Sequence, residues 1–151
     1  IEYQVSANPG QPVKPLTKVA SGGELSRISL ALQVITSRVG RVPTLIFDEV
    51  DVGIGGGVAE IVGAQLRTLA DARQVLCITH LAQVAAQGHH HLQVTKETAA
   101  NTTVTHIGPL SAKERVQEIA RMLGGVEITR QTLDLAAEML SRIGENADVP
   151  A

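Results

Sequence analysis

The sequence predicts an α/β fold, in which a largely parallel sheet is flanked by helices. Two continuous apolar runs, at residues 44–47 and 75–78, have the composition of buried strands. The segment between them has apolar residues at helical spacing, namely Val58, Ile61, Val62, Leu66 and Leu69. A strand, a helix and a second strand in this order predict a βαβ unit, with parallel strands covered on both faces and a right-handed crossover.

Residues that can do chemistry follow each of these two strands. Asp48 and Glu49 come directly after the first strand, and His80 comes just after the second. The carboxyl ends of parallel strands lie along one edge of a sheet, and ligands of α/β proteins bind at that edge. We therefore expect these three residues to share one edge of the sheet.

The elements before the βαβ unit are a strand, a loop and a helix. Residues 1–7 alternate apolar and polar side chains, as a strand does, and prolines and glycine predict a loop over residues 8–20. Because the chain opens on this strand with Ile1 rather than Met, we expect further sequence to precede it. The helix ends at Gly40. Its apolar face consists of Leu25, Ile28, Leu32, Ile35 and Val39.

The elements after the βαβ unit are an antiparallel edge pair of strands and two helices. The alternating segments 92–96 and 102–107 predict the strand pair. Ser111 and Glu114 form a capping box at the start of the next helix, and Gly124-Gly125 ends it. The last helix has Leu133, Ala136, Leu140 and Ile143 on one face. We expect one domain over residues 1–144 and a frayed tail over residues 145–151.

Composition limits the possible classes of protein. The chain has 151 residues, 44% of them hydrophobic, which is enough for one domain that buries about two-thirds of its unfolded surface. The net charge of -2, the scattered basic residues and an aromatic content of 1% give no sign of a nucleic-acid surface. A lone Cys77 excludes an internal disulfide framework and suits a reduced cytosolic protein. No apolar run approaches the ~20 residues that span a bilayer, so we expect a soluble protein.

The start of the first helix, Ser21-Gly22-Gly23-Glu24, has two interpretations. Ser followed three residues later by Glu is a capping box, which requires no ligand. The two glycines contribute nothing to capping, and each costs a helix up to ~1 kcal/mol relative to alanine. A helix N-terminus without side chains exposes its N–H groups and its positive dipole end, which favours phosphate binding.

The acidic end of the first strand of the βαβ unit also has two interpretations. Acidic loops between strands and helices are common in α/β proteins. In the functional interpretation, Asp48 holds Mg²⁺ through a bound water, and Glu49 polarises the water that attacks a γ-phosphate. Asp51 adds a third acid. The glycine-rich segment 52–57 either cradles phosphate or only turns the chain.

His80 is a candidate functional residue, whereas three further histidines are consecutive at positions 89–91. His80 is either a structural residue at a strand end or a group that hydrogen-bonds a γ-phosphate oxygen and senses hydrolysis. We interpret His89, His90 and His91 as surface strand rather than a metal site. Adjacent strand residues alternate between faces, and a fourth ligand is not evident.

Three motifs occur in the order found in ABC-type ATPases. Residues 21–27 (Ser-Gly-Gly-Glu-Leu-Ser-Arg) resemble the signature motif, residues 45–51 (Leu-Ile-Phe-Asp-Glu-Val-Asp) resemble Walker B, and residues 78–80 (Ile-Thr-His) resemble the switch histidine segment. The lack of proline after Glu49 is similar to the SMC and Rad50-like branch rather than to transporters. The sequence as a whole resembles a bacterial DNA-repair family of that branch. This resemblance extends to residues 122–125 (Met-Leu-Gly-Gly) and covers nearly the whole chain.

The resemblance implies the C-terminal lobe of an ATPase head, with ATP and Mg²⁺ as cofactors. It implies that Asp48, Glu49 and His80 act on nucleotide held by the same head, and that residues 21–24 reach the γ-phosphate held by a second head. The implied partners are the head's own N-terminal lobe, a second head in an ATP-sandwiched homodimer, and DNA bound by the full-length protein in double-strand break repair. The implied location is the bacterial cytoplasm at the nucleoid, with no membrane partner.

Two features set this chain apart from a complete head. No segment matches Gly-x-x-x-x-Gly-Lys-[Ser/Thr], so the chain lacks the phosphate-gripping lysine and should be inactive alone. Gly55 stands where SMC-type heads commonly have the D-loop aspartate, so none is assigned here. The alternatives are a lobe of another SMC or Rad50-like head, and a non-catalytic interaction module whose acidic loop and helix cap are structural.

Overall fold

The computed structural model describes residues 4–6, 10, 12–18, 22–36, 42–48, 50–99, 102–125 and 127–147. Within these ranges, the side chains of residues 17, 22–24, 26, 27, 33 and 144–147 are not described. The chain divides into two compact units, Ile1–Thr79 and His80–Ala151. The single domain over residues 1–144 stays a prediction. In the described ranges, no helix is long and apolar enough to cross a membrane.

The first unit begins with two short strands and a helix. Strands β1 (Gln4–Val5) and β2 (Lys14–Pro15) pair antiparallel, and a 3₁₀ turn (Leu16–Lys18) follows. The prediction of an uninterrupted loop over residues 8–20 is therefore wrong at β2, because a proline is tolerated where an edge strand needs no N–H donor. Helix α1 (Gly22–Thr36) begins where the sequence predicts, and its predicted cap at Ser21 and end at Gly40 lie outside the described residues.

The predicted βαβ unit is confirmed. Strand β3 (Thr44–Phe47), helix α2 (Gly56–Ala70) and strand β4 (Gln74–Cys77) follow in that order. The two strands are parallel, with Thr44 opposite Gln74 and Phe47 opposite Cys77. On α2, the residues at helical spacing that are buried are Ala59, Val62, Leu66 and Leu69. Burial of this apolar stripe is what holds the crossover helix in place.

The two faces of the strand pair differ in burial. Phe47 is only 4% exposed, whereas Ile46, which points to the other face, is 68% exposed. Leu76 and Ile78 are also exposed on β4 and just beyond it. The prediction that both faces are covered is therefore wrong for this chain, because a single crossover helix can cover only one face of a strand pair.

The second unit combines an antiparallel hairpin with three helices. Helix α3 (Ala82–Gln87) comes first, then β5 (Leu92–Ala99), β6 (Thr102–Pro109), α4 (Ala112–Gly124) and α5 (Arg130–Ala147). The strands pair antiparallel from Leu92 opposite Pro109 to Ala99 opposite Thr102, as predicted but over a longer stretch. In the described ranges they form a two-stranded sheet of their own rather than the predicted edge of the parallel sheet. Helix α5 extends three residues into the predicted tail. The sequence does not predict α3, because six residues are too few for a helical period to show.

Small residues bring the three helices of the second unit together. Ala82 and Ala86 of α3 share a buried cluster with Ile119 and Ala120 of α4 and Ala136 of α5. Alanine side chains allow helix backbones to approach closely, and Ile119, which is fully buried, is the largest side chain of this buried cluster. The larger side chains at the border of this cluster are Val116, Met122, Leu123, Leu133, Met139, Leu140 and Ile143.

The ends of these helices are closed by side chains. Ser111 and Glu114 form the predicted capping box of α4, with the Ser111 N–H donating to the Glu114 carboxylate at 2.8 Å. The hydrogen bond from the Ser111 hydroxyl to this carboxylate, and then the bond from the Ser111 N–H, lower the pKa of Glu114. Arg115 donates from its guanidinium to the carbonyl oxygen of Ala86 at 2.7 Å and to that of Gly88. The positive charge of Arg115 thereby satisfies the carbonyls left open at the end of α3.

Replacing Ile119 by alanine should lower the free energy of unfolding of the second unit by about 2–5 kcal/mol, because it leaves a cavity among backbones that cannot collapse. The measurement is urea or thermal unfolding followed by circular dichroism. Leu135→Ala on α5 is the matched control, since Leu135 is 47% exposed and should cost below about 1 kcal/mol. Equal losses for the two variants would contradict the placement of Ile119 in the core.

Candidate functional site

The loop after β3 separates an exposed acid from a buried one. Asp48 directly follows the strand and is exposed, whereas Asp51 is 1% exposed. The loop turns over residues 50–53, where the Ile54 N–H donates to the Asp51 carbonyl oxygen at 3.3 Å. Gly53 has a φ of 73°, which glycine adopts without strain, and the chain then enters α2. Only Asp48 of these two acids therefore faces solvent.

The buried acid joins the ends of the two parallel strands. The Thr79 hydroxyl donates a hydrogen bond to Oδ2 of Asp51. Thr79 lies two residues beyond β4, so this bond ties the loop after β3 to the segment after β4. The sequence presents Asp51 only as a third acid, because no local pattern indicates a partner 28 positions away.

The two carboxylates also act on Cys77, the last residue of β4. The pKa of this thiol is raised from an ordinary value of 9.0 to about 11, first by burial and then by the negative charges of Asp51 and Asp48. Negative charge disfavours a thiolate only over short distances. Asp48 and Asp51 thus form one electronegative group at the carboxyl end of the strand pair.

The acids of this group suit one mode of metal binding. Within the ranges that the structure describes, no group of three or more His, Cys, Asp or Glu side chains forms a metal site. Mg²⁺ is usually held by one or two carboxylates together with the phosphates of a substrate and waters. Asp48 is exposed and fits such a shared site, whereas the carboxylate of Asp51 is buried and bonded to Thr79.

The other candidate residues are placed only in part. Gly22, Gly23 and Glu24 form the first turn of α1, a placement that the capping and the phosphate interpretations share, so the phosphate role stays a prediction. Ser21 and Glu49 lie outside the described residues, so their roles stay predictions. His80 is an exposed residue at the start of the second unit, and its closeness to Asp48 also stays a prediction.

The three consecutive histidines do not lie in a strand. His89 and His90 are exposed in the loop between α3 and β5, and the strand begins only at Leu92. Arg115 holds this loop in place through the carbonyls of Gly88 and His89, so the prediction of a surface strand is wrong here. His91 is partly buried, and its pKa is lowered by that burial and by the charge of Arg115.

Comparison with solved structures identifies the class of fold. The chain superposes on a solved SMC ATPase, a structure concerned with ATP-driven dimerisation and DNA-stimulated activation, with a TM-score of 0.56 and 19% identity. The match covers 78% of this chain and 70% of that chain. The chain thus shares the mixed α/β fold of that SMC ATPase, and at this identity the likeness concerns the fold alone.

Comparison of sequences narrows the class to a family. The DNA repair protein RecN of Vibrio cholerae is 56% identical over 140 residues, and that of Haemophilus influenzae is 55% identical over 141. The RecN protein of Xylella fastidiosa is 51% identical over 144 residues. The chain belongs to the RecN family. The matches include 93–95% of this chain. They span only about a quarter (25–26%) of the length of the relatives. No family model matches the chain.

The raised pKa of Cys77 should be measurable as slow alkylation. Iodoacetamide reacts with the thiolate, so the rate should rise with a midpoint near pH 11 in the folded chain and near pH 9 in urea. Since the folded pKa lies above the unfolded one, the stability contributed by the neutral thiol is fully present below pH 9. It is lost as pH rises through 11.

Substituting one acid separates the effect of charge from the effect of burial on the pKa of Cys77. Asp51→Asn should lower the midpoint, because the charge of Asp51 contributes to it, whereas Asp71→Asn at the exposed end of α2 should leave it unchanged. A folded-state midpoint at pH 9 would contradict the burial of Cys77 beside these acids.

Proposed function

We propose that this chain supplies half of an ATP-hydrolysing site in an SMC-like head of a protein that acts in DNA double-strand break repair. The observation that carries the proposal is the exposed Asp48 at the carboxyl end of β3, which is parallel to β4. This edge of a parallel sheet is where α/β proteins bind ligands. Membership of the RecN family supports the same assignment.

In this proposal each candidate residue has a separate task. Asp48 holds Mg²⁺ through a bound water, and the ion supplies positive charge that offsets the charge of the phosphates. Glu49 accepts the proton of the attacking water and orients that water. His80 donates a hydrogen bond to a γ-phosphate oxygen and senses its loss.

The signature segment acts on a different nucleotide. Ser21, Gly22, Gly23 and Glu24 at the start of α1 contact the γ-phosphate of ATP held by a second head. The bare N-terminal turn of a helix favours an anion, because its N–H groups have no partners within the helix. ATP sandwiched between two heads then couples dimerisation to hydrolysis.

The remainder of the site comes from outside this chain. The sequence has no P-loop, and the RecN relatives are about four times as long as the segment matched here. We propose that an N-terminal lobe of the same protein supplies the P-loop, that the head forms homodimers and that the full-length protein binds DNA at the cytoplasmic nucleoid. The isolated chain is then inactive, because nothing in it grips the phosphates.

Glu49→Gln in the full-length protein should lower ATP turnover by about 10²- to 10⁴-fold, because the amide cannot accept a proton from water. ATP binding should be preserved, and head dimers should persist longer. Turnover is measured by phosphate release, binding by a fluorescent nucleotide and dimer lifetime by light scattering. Glu60→Gln, an exposed acid on α2, is the matched control and should behave as the wild type.

Two results would contradict this proposal. Normal turnover of the Glu49→Gln protein would reject Glu49 as the base and favour a non-catalytic module. Substantial turnover by the purified 151-residue chain, with contaminating ATPases excluded, would show that no outside P-loop is needed.

Ser21→Arg in the full-length protein should prevent ATP-dependent head dimers while each head still binds ATP. The large side chain would occupy the position proposed for the γ-phosphate of the opposite nucleotide. Light scattering with and without ATP measures the dimers, and nucleotide binding is measured in parallel. Thr36→Arg, at the exposed far end of α1, adds the same charge and should leave dimerisation intact. Dimerisation of the Ser21→Arg protein at wild-type ATP concentrations would exclude contact in trans.

A further inference from the structure

Asp51 is a buried acid, whereas Asp48 in the same loop is exposed. Its side chain is almost fully buried, and it accepts a hydrogen bond from the hydroxyl of Thr79. Burial of a carboxyl group is costly unless its oxygens are hydrogen-bonded. The proposed chemistry uses Asp48 and Glu49 but gives Asp51 no task, so this buried and bonded acid requires a separate explanation.

The bond between Asp51 and Thr79 is one of two consecutive bonds between the strand ends. The N–H of Ile78 donates to the carbonyl oxygen of Phe47 at 2.9 Å, and the next residue, Thr79, donates to Asp51. Phe47 and Asp51 enclose only residues 48–50, which include both acids of the proposed site. Ile78 and Thr79, which follow β4, therefore bond to the chain on either side of residues 48–50. We call these three residues the arc.

We propose that Asp51 is a positioning residue, which acts with Thr79 to hold the arc of residues 48–50 in the geometry that ATP hydrolysis requires. This inference rests on the proposed function of Asp48 and Glu49. Reaction rates are sensitive to such placement, since a displacement of about 1 Å can cost ~10²-fold. Asp51 itself contacts neither nucleotide nor metal in this proposal.

The test compares two substitutions of Thr79 in the full-length protein. Thr79→Val keeps the shape of the side chain but removes the donor, whereas Thr79→Ser keeps the donor. Thr44→Val is the matched control, because the Thr44 hydroxyl also bridges the strand pair, donating to Oε1 of Gln74 at 3.1 Å. That bond lies at the opposite, amino end of the two strands.

The first measurement is hydrogen exchange of nucleotide-free protein, followed by mass spectrometry of peptides that cover residues 48–54. Loss of a hydrogen bond to a carboxylate should speed exchange about 10-fold or more in Thr79→Val. Thr79→Ser should restore exchange to within about 2-fold of wild type, and Thr44→Val should leave this segment unchanged. The readout needs no ATP hydrolysis, so it tests the bond independently of the proposed function.

The second measurement is ATP turnover. Thr79→Val should lower kcat about 10- to 100-fold with the KM for ATP within about 3-fold, because the loss concerns placement of the catalytic acids rather than the grip on nucleotide. Thr79→Ser should recover most of this activity. A general loss of folding would instead change circular dichroism and affect exchange throughout the protein.

Each remaining outcome is decisive. Unchanged exchange over residues 48–54 in Thr79→Val, or unchanged kcat, would overturn the positioning role even if Glu49→Gln behaves as proposed. A large loss of kcat in Asp51→Asn, with none in Thr79→Val, would overturn the positioning role and indicate that Asp51 contacts the metal or the nucleotide directly. If Glu49→Gln is kinetically normal while exchange still rises in Thr79→Val, the proposed function fails but the structural bond stands.

Discussion

The parallel pairing of β3 with β4 is the constraint on which the candidate site depends. It joins segments about 30 residues apart in sequence, with Phe47 opposite Cys77, so that the chain leaves both strands at the same edge. The buried stripe of α2 fixes this register, because a slip of one residue would move Phe47 from the core to the exposed face. The side chains of Asp51 and Thr79 then meet at the end of the pair where Asp48 follows β3.

Local patterns in the sequence predict most of this fold. The helical spacing in α2, the alternation in β5 and β6 and the capping box at Ser111 each depend on residues within a few positions of one another. The elements that the sequence fails to predict are short: two-residue β2 and six-residue α3 hold too few residues for a period to be recognised. Their presence depends on contacts with other parts of the chain, such as the bonds from Arg115 to the end of α3.

The sequence predicts where the candidate site residues lie in the chain but not the environment of each side chain. The order of three motifs points to Asp48 and to the start of α1, and the family membership found by comparison agrees with that order. The different environments of Asp48 and Asp51 cannot be read from sequence, because these two aspartates differ only in burial and in bonding partners. The exposed face formed by Ile46, Leu76 and Ile78 likewise follows from what the crossover helix leaves uncovered. An exposed apolar face next to the candidate site is in keeping with the proposal that another lobe completes that site.

The position of Cys77 beneath two acids has a consequence for redox chemistry. With a pKa of about 11, only roughly one thiol in ten thousand is ionised at neutral pH, and peroxides attack the ionised form. Burial first, and then the negative charges of Asp51 and Asp48, therefore protect this sulfur from oxidation.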